Sequence, residues 1–292
     1  MTVWARSRGF VFGLLGILAL GGAWELYKVI GPSQGWGIGD TLLLPRANNG
    51  VMPHVWDMIA KFGQPIVAFQ PDGATVGGKV VSAFLYTLRL SAAGWVLGCV
   101  IGFALALVMT RSRLAEAAAL PWVVASQTVP LIAIAPVLGG WGQFLHVGDW
   151  QWGKPQSIIV ISAYLAFVPL TVGALRGLKS PTTAQLELMH VYGVGWWRTL
   201  LRLRLPASVP YLLPALRLSA TSAVIGAVVA EVSIGQDGGV GRLIIDFTKD
   251  SYTQPAKAWP PIFGAVAVGL VAAGVVGIIG LLLRRYRRGE QT

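Results

Sequence analysis

Residues 80–110 read VVSAFLYTLRLSAAGWVLGCVIGFALALVMT, an unbroken apolar run whose single charged side chain is Arg89. A helix on the surface of a water-soluble domain alternates apolar and polar faces every three to four residues, and this run is apolar on all faces. A stretch of about 18 uncharged residues suffices to cross the hydrocarbon of a bilayer, and this one exceeds it. Working outward, comparable runs occur at Phe10 to Ile30, Leu114 to about Leu138, Ser157 to Leu175, Ala207 to Ala230 and Pro261 to Leu283. The 292 residues are 54% hydrophobic and 12% charged, about half the charge of an ordinary soluble domain. These observations predict an all-α, polytopic membrane helical bundle with about six transmembrane helices. They exclude a disordered or collagen-like chain.

The first run follows Arg6 and Arg8 and reads as a retained anchor or as a signal peptide with Ala19 and Gly21 near its cleavage site. Its apolar character continues through Trp24, Leu26 and Tyr27, which favours the anchor. Residues 31–79 are rich in Pro, Gly, Asn, Gln and Asp and form a loop outside the membrane. Within it, Val55, Trp56, Ile59 and Phe62 share one face of a short helix expected from Pro53 to Phe62, either a cap on the bundle or an interfacial helix. The run at 80–110 is long for one crossing, so part of it projects or tilts. The third run carries Pro121, Pro130 and Pro136 and is expected to be broken there, inside the protein, where neighbours can satisfy freed backbone groups.

Charge sets the orientation. With six spans, thirteen Lys and Arg fall in the loops on one side, including Arg111, Arg113, Arg176, Lys179, Arg198, Arg202, Arg204 and the cluster at 284–288. Eight, spread over far longer loops, fall on the other, and the positive-rich side is cytoplasmic, so both termini are expected inside. The layout expected is an anchor at 1–30, an extracytoplasmic loop at 31–79, a core of five spans at 80–283 with a cytoplasmic loop at 176–206, and a basic tail at 284–292. The net charge of +11 follows from these loops rather than from nucleic-acid binding.

No catalytic or metal-binding constellation emerges. Cys99 is the one cysteine, so an intrachain disulfide is impossible. His54, His146 and His190 lie in separate loops, and although Asp149 is three residues from His146, a solvated surface is the favoured reading. Gly73-Ala-Thr-Val-Gly-Gly-Lys79-Val80 imitates a phosphate-binding loop but has Val80 where a hydroxyl would hold Mg²⁺, and no strand precedes it. Catalytic residues, metals and cofactors are therefore all expected to be absent. Three charged residues within or at the ends of spans, Arg89, Arg217 and Glu231, are functional candidates because charge in lipid is costly. Each reads either as a tie between helices or as lining a solute path. Gln127, Thr128 and Tyr164, near the broken third span, are softer path candidates. Gly94, Gly98 and Gly102 form a ridge on which another backbone can approach closely, within the subunit or across a dimer.

The loop at 176–206 is the most informative. Thr182 or Thr183 can cap a helix running to Tyr192, Gly193 can end it, and a second basic segment from Gly195 is expected to stop at Pro206. Leu186, Met189, Trp196, Trp197, Leu200 and Leu203 make these helices too apolar to hang free, so they need a partner or the membrane surface.

Here the sequence resembles the permease subunits of binding-protein-dependent ABC importers, whose signature is Glu-Ala-Ala, three residues, Gly, nine residues, Ile-x-Leu-Pro. Glu187, Gly193, Leu205 and Pro206 match, Leu203 takes the Ile position, and Leu188-Met189 replaces Ala-Ala. Thr87-Leu88-Arg89, Val129-Pro130 through Ala135-Pro136, Leu216-Arg217-Leu218, Val229-Ala230-Glu231 and Gly239 to Ile244 extend the resemblance over most of the chain from residue 80 onward. Within the family the chain is most similar to the nitrate, sulfonate, taurine and thiamine-precursor type. The resemblance implies the type I permease fold in a bacterial inner membrane. It also implies a pair of permeases on two ABC ATPase subunits, fed by an extracytoplasmic solute-binding protein. Glu187, Leu188, Met189, Gly193, Leu203, Leu205 and Pro206 would be the ATPase-coupling residues. The rival expectations are an autonomous secondary transporter or channel, an intramembrane enzyme, and, for the loop itself, a helix resting on anionic lipid through Arg198, Arg202 and Arg204.

Overall fold

A computed structural model of the chain describes residues 3–38, 41–66, 73–142, 144–148 and 150–282. The basic tail expected at 284–292 and Asp149 lie outside the described residues. Helices dominate: α1 (Val3–Ile30), α2 (Val55–Ala60), α3 (Val76–Arg111), α4 (Arg113–Ala125), α5 (Leu131–Gly142), α6 (Lys154–Leu178), α7 (Thr183–Val191), α8 (Trp196–Thr199), α9 (Leu205–Ile234), α10 (Val240–Lys249) and α11 (Trp259–Leu282). Two short antiparallel hairpins join them, β1 (Trp36–Ile38) with β2 (Thr41–Leu44), and β3 (His146–Val147) with β4 (Trp150–Gln151). Among the described residues five helical stretches are long and apolar enough to cross a membrane, and a sixth if α4 and α5 count as one bent span.

The chain divides into two compact units. The first comprises Met1–Val80 and Ile244–Ile262. In it the lower part of α1 is pinned to the following loop: the Trp24 indole donates to the Pro53 carbonyl at 3.0 Å, Lys28 donates to the Met52 carbonyl, and Trp24 meets the Trp259 ring edge-on. Glu25 accepts from the Val55 amide at 2.7 Å and pairs with His54, so a carboxylate from α1 caps the start of α2. The segment imitating a phosphate loop is a helix start: Thr75 Oγ1 accepts from the Gly78 amide at 3.1 Å and opens α3.

The second unit comprises Val81–Leu243 and Phe263–Thr292. Its centre is α6, which runs along α9 and buries Ile158, Ile161, Ala166 and Ala174. The apolar character of α3 is nearly uniform, so residue size selects its buried stripe: Ser91, Gly94, Gly98, Gly102, Ala106 and Met109 face inward at helical spacing. The glycines allow α3 to lie against the backbone of α6. A Cβ on Gly98 would come within 2.8 Å of the Ala163 carbonyl, and one on Gly102 within 2.6 Å of the Phe167 carbonyl. Of the two uses open to this ridge, packing within the subunit is the one observed.

The third span departs from expectation in two ways. Its axis turns by 96° between α4 and α5, but only Pro130 coincides with the break. Pro forces the preceding residue away from helical geometry, and Val129 is extended (φ −76°, ψ 123°), whereas Pro121 and Pro136 sit inside continuous helices. Nor is the span enclosed by its own chain, since Trp122, Ile132, Val137 and Trp141 are exposed.

Pro206 does not stop the second loop helix. A wider π-type turn at Leu200–Arg204 leads from α8 into α9, and Pro206 falls in the first turn of α9, where its missing N–H and fixed φ are tolerated.

Candidate functional site

The helix α7 is terminated cleanly at both ends. Thr182 Oγ1 accepts from the Gln185 amide while Gln185 Oε1 accepts from the Thr182 amide at 3.0 Å, a reciprocal cap. At the other end Gly193 adopts φ +66°, its amide donates to the His190 carbonyl and that of Val194 donates to the Met189 carbonyl, each at 2.9 Å. This pair of bonds satisfies the last carbonyls of the helix and needs a left-handed residue. No atom lies within 4 Å of where a Gly193 Cβ would stand, so backbone conformation alone selects glycine here.

This short helix presents an outer face of Glu187, Leu188, Val191 and Tyr192, all exposed, with Val191 82% accessible. Among the described residues the Glu187 carboxylate has no hydrogen bond or ion pair. Met189 and Leu186 are half-buried on the other side. Leu203, Leu205 and Pro206 are placed differently: they are partly buried at the root of α9, where Leu205 packs against the cluster of Ala106, Met109, Ala174, Leu175, Leu178 and Leu200. The signature therefore divides into an exposed helix and a partly buried footing. The footing is tied to α6 by Arg204, whose Nη1 donates to the Leu178 carbonyl at 2.9 Å, and by Ser180, which donates to the carbonyls of Gly177 and Ala207.

The path candidates do not gather at one point. Gln127 and Thr128 are exposed in the turn before the break, and the Tyr164 hydroxyl donates to the Ser126 carbonyl, so these three share a neighbourhood. Arg217 is exposed on α9 and, with Thr221, Pro210 and Pro214, lines a cavity of about 470 Å³ closed on its far side by Gly277, Gly280 and Leu281 of α11. No carboxylate pairs with Arg217 among the described residues. Arg89 is exposed on α3. Hydrogen bonds from Trp95 to Ser219 (2.9 Å) and from Thr87 to Glu231 fix α3 antiparallel to α9, which puts Arg217 about 20 Å along α9 from the level of Arg89.

Glu231 is fully buried. Its carboxylate accepts from the Thr87 hydroxyl at 2.8 and 3.0 Å and from the Gly241 amide at 2.9 Å, while Thr87 Oγ1 in turn accepts from the Val240 amide at 2.9 Å. Gly239 and Gly241 press on it so closely that a Cβ on Gly239 would overlap the carboxyl group. Three separate stretches, Thr87-Leu88-Arg89, Val229-Ala230-Glu231 and Gly239-Val240-Gly241, thus close into one knot at the end of α9. Sequence reasoning noted each stretch without joining them. The signal available was a carboxylate in a span with a hydroxyl and a Gly-x-Gly turn to receive it.

Membrane-crossing helices, a bent span and a doubly capped helix lying between two spans define the class: a multi-pass helical membrane protein. The chain belongs to the family described as binding-protein-dependent transport system inner membrane component, which it matches over residues 98–288. It is 34% identical to a probable ABC transporter permease protein of Haemophilus influenzae, over 70% of this chain and 82% of that one. It is 30% identical to a formylaminopyrimidine transport permease protein of Halalkalibacterium halodurans, over 81% and 92% of the two chains. A putative aliphatic sulfonates transport permease protein of Bacillus subtilis is 27% identical over 88% and 90%. The protein is thus a multi-pass membrane permease of the type I ABC fold. It works in an ABC transport system whose ATPase and solute-binding protein are separate subunits.

Proposed function

We propose that this permease moves a small organic solute inward across a bacterial inner membrane as one of a pair of permease copies. Both termini and α7 lie on the cytoplasmic side, the segment 31–79 lies outside, and 80–283 form the transporting core. The observation that carries this reading is α7, a helix capped at both ends whose apolar and acidic outer face meets nothing in its own chain. A groove on an ATPase subunit would receive Leu188 and Val191, and Glu187 would meet basic or amide donors there. Nucleotide-driven closure would then act through α7 on the partly buried footing of Leu203, Leu205 and Pro206. Exposed Trp122, Ile132, Val137 and Trp141 on the bent span support a second permease copy, because a span turned by Pro130 needs protein neighbours. Gln127, Thr128, Tyr164, Arg217 and Arg89 are proposed to line the path. Glu231 is read as a tie between helices, its oxygens being engaged by Thr87 and Gly241. The solute is of the kind named for the relatives, an aliphatic sulfonate or a formylaminopyrimidine.

The test is affinity capture of the tagged, mildly solubilised chain beside a Glu187→Ala/Gly193→Val double variant. Wild type should bring down an ATPase with ATP hydrolysis, and the double variant should lose both. Capture of wild type alone, folded and inactive toward ATP, would move the reading to an autonomous transporter. Reporter fusions after residue 195 should read cytoplasmic and after residue 240 external, and the reverse would overturn the orientation.

A further inference from the structure

A second feature involves α8, the segment that follows α7. The end of α3, the start of α4 and α8 enclose a groove of about 350 Å³ lined by Leu107, Val108, Arg111, Ala115, Trp196 and Trp197. That volume falls within the ~300–1,000 Å³ span usual for small-ligand sites. One wall is aliphatic, from Leu107, Val108 and Ala115, and it continues along α3 into the exposed Val100. Arg111 is its single charged lining residue, the guanidinium lying 5.7 Å from the centroid of the Trp196 ring. That placement fixes the cation without using its N–H donors, and among the described residues Arg111 has no hydrogen bond or ion pair. Glu116, one turn along α4, is taken by Lys179. Trp197 stands edge-on to Trp196 and is 69% exposed. An exposed indole, a free guanidinium and an aliphatic wall at the end of a membrane-crossing helix match the two halves of a phospholipid at the headgroup level.

We infer that this groove holds an anionic phospholipid, its phosphate on the Arg111 fork and the first part of an acyl chain along Leu107 and Val108. The planar guanidinium suits two phosphate oxygens at once, and no carboxylate lines the groove to repel them. The choice of the cytoplasmic leaflet rests on the orientation proposed above, and the lipid contact itself does not.

Native mass spectrometry of the full chain, titrated with equal amounts of phosphatidylglycerol and phosphatidylcholine, tests it. Wild type should retain phosphatidylglycerol about tenfold better, the size of one charge-assisted contact. Arg111→Gln should abolish that preference, while Arg113→Gln, which removes the same charge two residues further on and outside the groove's lining, should keep it. Equal retention of both lipids by wild type, or equal losses in both variants, would overturn the site. Displacement by soluble glycerol phosphate would overturn the lipid in favour of a free phosphate. Loss of ATPase capture in Arg111→Gln with unchanged lipid retention would assign the groove to a protein partner. If Arg111→Gln cannot be recovered folded, fluorescence decides: brominated phosphatidylglycerol should quench wild type more than Trp197→Phe, and equal quenching would count against the site. An external reading from the residue 195 fusion would cancel only the leaflet.

Discussion

The two ends of α9 are built on opposite plans. At the Glu231 end the buried carboxylate is answered within the chain, receiving a hydroxyl and a backbone amide while glycines close around it. At the Pro206 end the chain invests in capping a short helix and then leaves its outer face uncovered. A buried polar group without a partner costs more than its bond returns when made, so the first end is fixed in one arrangement. The second holds its own shape independently of the surface it meets. The difference separates a region that stabilises the subunit from one that is available to another subunit.

Substitutions can break that contrast. The largest effect on stability is expected for Glu231→Leu, which strands the Thr87 hydroxyl and the Gly241 amide; thermal unfolding in detergent should show a loss of about 3 kcal/mol. Glu231→Gln keeps an acceptor and should lose less, and an unchanged midpoint in the Leu variant would mean that the knot carries no stability. Gly98→Leu comes next, at about 2 kcal/mol, because the side chain must displace α6 at Ala163. Gly193→Val should cost about 1 kcal/mol through its left-handed backbone, yet abolish ATPase capture. Thr182→Ala should cost about 1 kcal/mol confined to α7, visible as faster amide exchange there with other helices unaffected. Leu188→Ser should be smallest, within ~0.5 kcal/mol, while still weakening ATPase capture. If Gly193→Val or Leu188→Ser leaves capture intact, α7 is not the docking element.

How much of this was legible in the sequence depends on range. Runs of uncharged residues and the capping pattern at Thr182 and Gly193 are local signals, and the helices formed where those signals lie. Prolines misled because their effect depends on position: Pro130 breaks a span, while Pro121, Pro136 and Pro206 sit in continuous helix. The ridge of Gly94, Gly98 and Gly102 was visible as a pattern, but its partner α6 was not, since small residues show how near a neighbour comes and not which one. The knot at Glu231 joins residues 87, 231 and 241; the sequence marks the carboxylate in a span and the Gly-x-Gly turn, but not which distant hydroxyl and amide they meet. The hairpins at 36–44 and 146–151 are too short to register against apolar runs.

The π-type turn at Leu200–Arg204 also has an angular meaning. Each residue of an ordinary helix advances the face by about 100°, and a turn with one residue more than its neighbours leaves what precedes it out of phase by that amount. Trp196 can therefore look toward Arg111 while Arg217, on the same continuous rod, looks toward α11. Removing one residue from this turn would bring the rod back into phase and swing α8, with α7 behind it, about a quarter of a revolution around the α9 axis. The extra residue is a fixed angular offset between the face turned to α3 and the face turned to α11.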